Sequence, residues 1–266
     1  MMIMQLAAFA IVALWVALRL RGESDKPAWL LRLAAVCVAA WLAEDTCIRA
    51  YGFYSYSSEW FGFVDQVPLA IVCIWPVVIL SALDGARALL PQASGRRAPL
   101  VMLLVIADAS LIEPIAVASK LWSWSEPGPF AVPIIGILGW GLFALGVAWA
   151  VERGQPLWAP LAGLVTTHAL LLAVWWAALR WLPRGGEELT FVVAAWLVSA
   201  GLTTVIIARR VMVLRRDLLL RVPAASFFFV LLALYGRDDV LLIGYALAFV
   251  PPYLALTALS VPAPAK

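Results

Sequence analysis

Charge, histidine and cysteine are all scarce in this chain: 13% of its 266 residues are Asp, Glu, Lys or Arg, one is histidine and three are cysteine. With 65% apolar residues and a mean hydropathy of +0.97, the composition excludes an ordinary soluble domain and is that of a polytopic membrane protein. No long polar stretch separates the apolar runs, so any chemistry must take place within the bundle or at its two faces. The single histidine, His168 in LVTTHALLL, cannot build a polyhistidine iron or zinc site, which argues against a di-iron desaturase or hydroxylase. It reads instead as a hydrogen-bonded residue between helices. Cys37, Cys47 and Cys73 have no metal-ligand spacing and read as small core hydrophobes. The absence of GxSxG argues against acyl transfer, and there is neither a phosphate-cradling glycine loop nor a convincing internal repeat. Two similar halves with matching broken helices are also missing, which places a transporter last among the function classes.

Apolar runs are abundant. A membrane-spanning helix needs about 20 mainly apolar residues. Nine stretches qualify, near 2–20, 28–48, 67–90, 99–121, 133–152, 157–182, 188–208, 218–235 and 239–260. The eighth is shortened by Arg221-Val222-Pro223 and the ninth is broken by Pro251-Pro252, so the expected fold is an all-α transmembrane bundle of seven to nine spans in one domain, 1–266. With an external N-terminus, Arg49, Lys120, Arg180, Arg184 and Arg237 fall outside. The other 14 of the 19 basic residues, among them Arg221 and Lys266, fall on the cytoplasmic face. The net charge of +3 therefore reads as topology rather than nucleic-acid binding, with Arg209-Arg210 and Arg215-Arg216 placed to meet anionic lipid. Arg19, Arg21 and Lys26 follow the first run where a cleavage site would need small residues, so this run is expected to be a retained anchor in the cytoplasmic membrane.

Against this background four acids stand out. Glu44 and Asp45 end one apolar run, and Asp108 and Glu113, the latter followed by Pro114, lie in another. A carboxylate in hydrocarbon costs several kcal/mol by any scale, so each is a functional candidate. Asp108 and Glu113 are five residues apart, about 140° around a regular helix, and would share a face only if the helix deforms at Pro114. The alternative pairs Asp108 with a neighbouring span and sends Glu113 to interfacial water. An ion pair of Glu44 or Asp45 with Arg49 at helical spacing is the corresponding alternative at the other end.

Two external segments join the ends of these acid-bearing runs: AYGFYSYSSEWFGFVDQ after Arg49, and LWSWSEPGPFAVP from Leu121 to Pro133. Tyr and Trp gather at headgroup level, so an aromatic belt is one reading, and a pocket shared by rings and acids is the other. Carboxyl groups in a greasy, aromatic-walled site suit protonation of an apolar alkene. A carboxyl held in such a site keeps a proton to donate, and ring faces with a neighbouring carboxylate stabilise the resulting tertiary cation.

These motifs resemble the membrane-integral carotenoid biosynthesis proteins, the family that includes carotenoid 1,2-hydratases and bisanhydrobacterioruberin hydratases. Its pattern of a glutamate at a helix end, G-x-Y-x-Y, then V-P leading to tryptophan, is matched by Glu44, Gly52-Phe53-Tyr54-Ser55-Tyr56, Val67-Pro68 and Trp75. Its second block is matched by Asp108, Glu113-Pro114, Trp122-Ser123-Trp124, Val132-Pro133 and Gly139-Trp140, so the similar core is 41–141. Two positions depart from the pattern: Glu113 stands where aspartate is usual, and Gly136 where asparagine is expected.

The resemblance implies hydration of the terminal double bond of an acyclic carotenoid, with no metal or redox cofactor. Asp108 or Glu113, or else Glu44, would donate the proton, and a deprotonated partner such as Asp45 would activate water. Tyr54, Tyr56, Trp75, Trp122, Trp124 and Trp140 would line the substrate site. The expected partners are a lipophilic isoprenoid and membrane lipids. The alternatives are cyclisation by the same acids and a non-catalytic carotenoid- or lipid-binding role in which the acids pair with Arg49 and Lys120.

Overall fold

The computed structural model describes residues 1–181 and 186–261. Arg184 and Lys266 of the charge tally lie outside the described residues. The chain runs through α1 (Met2–Leu20), α2 (Lys26–Tyr51), β1 (Tyr54–Tyr56), β2 (Phe63–Val64), β3 (Val67–Pro68), α3 (Leu69–Leu89), α4 (Ser94–Ala118), β4 (Trp122–Trp124) and α5 (Ile134–Glu152). It continues as α6 (Ala159–Ala177), α7 (Glu188–Ala208), α8 (Arg215–Leu219), α9 (Val222–Tyr235), α10 (Val240–Leu247) and α11 (Val250–Leu259). Among the described residues nine helical segments are long and apolar enough to cross a membrane, as the nine apolar runs predict. The last two are broken where the prolines stand: α8 and α9 together make the eighth span, α10 and α11 the ninth.

Lipid tails are as apolar as leucine, so helices associate in a bilayer through close van der Waals packing rather than water exclusion, and small residues at the contacts favour it. α2 accordingly buries Ala35, Ala39, Ala40 and Ala43, and α5 buries Ala144, Ala148 and Ala150. α3 and α5 form the centre of the bundle, while α7 packs on α10 and α11 and leaves most of its surface to lipid.

Ion pairs hold the arginine-rich face. Glu152 at the end of α5 accepts from Arg87 Nε of α3 at 2.7 Å and from Arg97 Nη1 of α4 at 2.9 Å. Asp84 is 3.8 Å from Arg87 and pairs more closely with Arg19 of α1 at 2.8 Å.

The opposite face is closed by a short antiparallel ladder. Gly52 caps α2 in the left-handed conformation (φ 60°), which turns the chain sharply into β1. β1 then pairs with β4, setting Tyr54 against Trp124, Ser55 against Ser123 and Tyr56 against Trp122. Side chains alternate along a strand, so the serines face outward and all four rings turn toward the bundle. The loop beyond β1 is tied down by Gln5, a fully buried side chain of α1 that accepts from the Phe61 amide at 2.9 Å and donates to the Phe61 carbonyl. Trp60 Nε1 donates to the Leu121 carbonyl at 2.8 Å, joining the two aromatic segments.

Candidate functional site

Beneath this ladder lies an apolar cavity walled by α1, α2, α3, α4, α5, α6 and α9. Two carboxyl groups open onto it, and among the described residues neither is compensated by a cation on the wall: the lining contains Glu44 and Glu113 and no Lys or Arg.

Each carboxyl is held by three aromatic donors. Glu44 Oε2 accepts from the hydroxyls of Tyr54 and Tyr56, the second at 2.9 Å, and Glu44 Oε1 accepts from Trp75 Nε1 at 2.9 Å. Glu113, which is 1% exposed, accepts from Trp122 Nε1 and Trp124 Nε1 at Oε2, both at 2.8 Å, and from Trp140 Nε1 at Oε1 at 2.7 Å. Buried polar groups persist only when hydrogen-bonded, and these two acids and six rings satisfy one another. The rings also pack together: Trp75 lies 4.6 Å from Trp140 and 4.8 Å from Phe143, and Tyr54 lies 4.8 Å from Trp124, centroid to centroid. All six aromatic residues expected from the sequence to line a substrate site are on this wall.

Phenols bound to a buried acid ionise reluctantly. Burial first, and then the negative charge Glu44 carries when ionised, push both Tyr54 and Tyr56 well above the ordinary tyrosine value of 10, so both remain hydroxyl donors at neutral and mildly alkaline pH.

The other two acids lie elsewhere. Asp45 is adjacent to Glu44 but faces away from the cavity; its Oδ2 accepts from Arg49 Nε at 2.8 Å and its Oδ1 from the Gln66 amide at 3.2 Å. Asp108 forms an ion pair with Arg221, which stands between α8 and α9 and turns inward from the arginine-rich face to which its position in the sequence assigned it. α4 continues unbroken through Pro114, so Asp108 and Glu113 keep their separation around the helix and meet different neighbours. Glu113 does not reach interfacial water.

His168 is a bridging residue: its Nδ1 is 2.7 Å from the Tyr51 hydroxyl and its Nε2 is 2.9 Å from Thr46 Oγ1, joining α6 to α2. Gly136, where asparagine was expected, has a packing reason. A Cβ at that position would lie 2.6 Å from the Trp124 indole, so only glycine lets that ring lie against α5 and reach Glu113.

Several contributors escaped sequence reasoning. Gln5 carries the same signal that marked the acids, a polar side chain within an apolar run, and could have been found by it. Arg221 and the wall residues Phe227 and Phe228 come from distant sequence, and no local pattern announces their proximity.

The profile of the carotenoid biosynthesis protein family matches residues 1–208, a segment that holds both pocket acids and all six of their aromatic partners. Phe227, Phe228 and Arg221 lie beyond it. No curated protein and no solved structure matches the chain. The family match spans more than half of the chain, and with nine apolar helices among its described residues this multi-pass membrane protein belongs to the carotenoid biosynthesis protein family and has a role in carotenoid biosynthesis.

Proposed function

We propose that this protein hydrates the terminal double bond of an acyclic carotenoid end group by acid catalysis in the cavity beneath the ladder. The observation that carries the reading is the pair of carboxyl groups, Glu44 and Glu113, each held by three aromatic donors on one apolar wall. A carboxyl proton adds to the less substituted alkene carbon, the π bond breaks, and a tertiary cation forms. Ring faces and the remaining carboxylate stabilise that cation, water attacks it, and the proton released returns to the carboxyl pair. The net change is addition of one water with no change in oxidation state, so these residues suffice for the proton chemistry.

Asp45 and Asp108, each paired with an arginine, act in this reading as structural acids rather than as donors. The substrate is a lipophilic isoprenoid taken from the lipid phase of the cytoplasmic membrane. Pigment profiling of a lycopene-producing bacterium with and without the protein tests the proposal. A new product heavier by one water is expected. An isomer of unchanged mass with a shortened chromophore would instead indicate cyclisation, and unchanged pigments with well-inserted protein would remove lycopene-type end groups from consideration.

A further inference from the structure

The two cavity acids are hydrogen-bonded by chemically different donors. Indole N–H groups donate and cannot accept, so the three bonds to Glu113 fill three of the roughly four acceptor positions of a carboxylate and suit the anion. Its Oε2, with two indoles, is already fully occupied. At Glu44 two of the three donors are hydroxyls, which rotate and can accept as well as donate. Tyr54 even has a second acceptor within reach, since its hydroxyl lies 3.5 Å from the Glu44 backbone carbonyl oxygen. Glu44 can therefore gain or lose a proton while its partners reorganise; Glu113 has no partner able to accept one. An apolar cavity with no Lys or Arg among the described residues of its wall does not readily hold two anions, so one proton stays with the pair.

Resting on the hydratase reading above, we infer that the two acids have unequal tasks. Glu44, with Tyr54 and Tyr56, holds and delivers the proton, whereas Glu113 is the fixed anion that faces the carbocation. In the forward step the Glu44 O–H bond breaks as the new C–H bond forms, and Tyr54 and Tyr56 turn to donate to the carboxylate left behind. Glu113 stays ionised throughout, held by Trp122, Trp124 and Trp140. Water then bonds to the cationic carbon, and its surplus proton returns to Glu44 as the tyrosine hydroxyls rotate back.

Infrared difference spectroscopy of the full chain in lipid nanodiscs tests this without relying on turnover, because a protonated carboxyl has a C=O stretch distinct from that of a carboxylate. The expected result is a protonated-carboxyl band that is lost in Glu44→Gln, retained in Glu113→Gln, and shifted in the Tyr54→Phe/Tyr56→Phe double variant, which keeps both rings. A band lost in Glu113→Gln, a band lost in both, or no such band in the wild type would overturn the assignment. Pigment profiling of the same variants separates the two levels of inference. A hydrated product together with a band belonging to Glu113 leaves the hydratase reading standing and removes the division of labour. No hydrated product together with a band belonging to Glu44 removes the hydratase reading and leaves the proton where it is placed here. Where both hold, Glu44→Gln is expected to lower product formation about 100-fold or more, the usual range for loss of a general acid.

Discussion

On both α2 and α4 an acid paired with arginine stands close to an acid caged by aromatic rings. Asp45 and Glu44 are neighbours, and Asp108 and Glu113 are separated by little more than one turn, yet in each case the first meets an arginine and the second meets neutral donors. These are two different answers to the cost of charge in a membrane. A cation cancels the charge and uses it up, as the Asp108–Arg221 pair does in tying α4 to the start of α9. Neutral N–H and O–H donors solvate the carboxyl but leave its charge or proton available to whatever enters the cavity. The difference separates acids that hold the bundle together from acids that can do chemistry, and it is set by the partners rather than by the acids.

Isosteric removal of the acids should break the comparison most clearly. Glu113→Gln and Glu44→Gln are each expected to reduce hydrated carotenoid about 100-fold or more while the protein remains membrane-inserted, whereas Asp45→Asn leaves the pigment profile unchanged. Equal losses from all three would mean that caged and paired acids are not functionally distinct.

Next in size is the effect of removing a half-buried ion's partner. Asp108→Asn leaves Arg221 without its counter-charge and should destabilise the protein by at most about 3 kcal/mol, the lower end of the range for a fully buried pair, with the Asp108→Leu/Arg221→Met double variant recovering most of the loss. Unfolding in mixed detergent micelles would report both. If the single and double variants were equally unstable, the pair would not be the tie between α4 and the C-terminal helices.

Overpacking the cage sharpens the contrast at lower cost. Gly136→Ala puts a methyl group where the Trp124 indole lies, at an expected cost of about 1–3 kcal/mol, together with a change in tryptophan fluorescence and a partial loss of product. The same substitution at Gly139, whose nearest contact would be 3.6 Å away, should be milder on every measure.

The smallest effect is one of alkalinity. Tyr54 and Tyr56 are raised above the ordinary value of 10, so below that pH their protonation favours neither state. Above it the unfolded chain loses phenolic protons that the folded chain retains, and stability falls as pH rises. The Tyr54→Phe/Tyr56→Phe double variant should show a shallower decline above pH 10 in the same unfolding assay.

Much of this was readable in advance. The nine apolar runs reappear as nine candidate spans within a few residues, because length and hydropathy are properties of the segment alone. The prolines at 223 and 251–252 mark real breaks for the same local reason. The four acids could be singled out because charge in hydrocarbon is costly wherever it falls, but sorting them into caged and paired required their partners. Arg221 is 113 residues from Asp108, and nothing near either residue announces the pair. The strands β1 and β4 were also missed; three residues are too few for a periodic signal to stand out, although Tyr-x-Tyr and Trp-x-Trp each have the alternation that the ladder uses.

That ladder places a demand on spacing as well as on residue identity. Because successive side chains in a strand point to opposite sides, a shift of β1 by one position would turn Ser55 inward and swing both tyrosines outward together, and a shift of β4 would do the same to Trp122 and Trp124. The cage would not weaken gradually but would lose two of the three donors to one acid in a single step. The connectors Gly52–Phe53 and Ser119–Leu121 set the phase of each strand against its helix, so an added or deleted residue there should be as damaging as the loss of a glutamate.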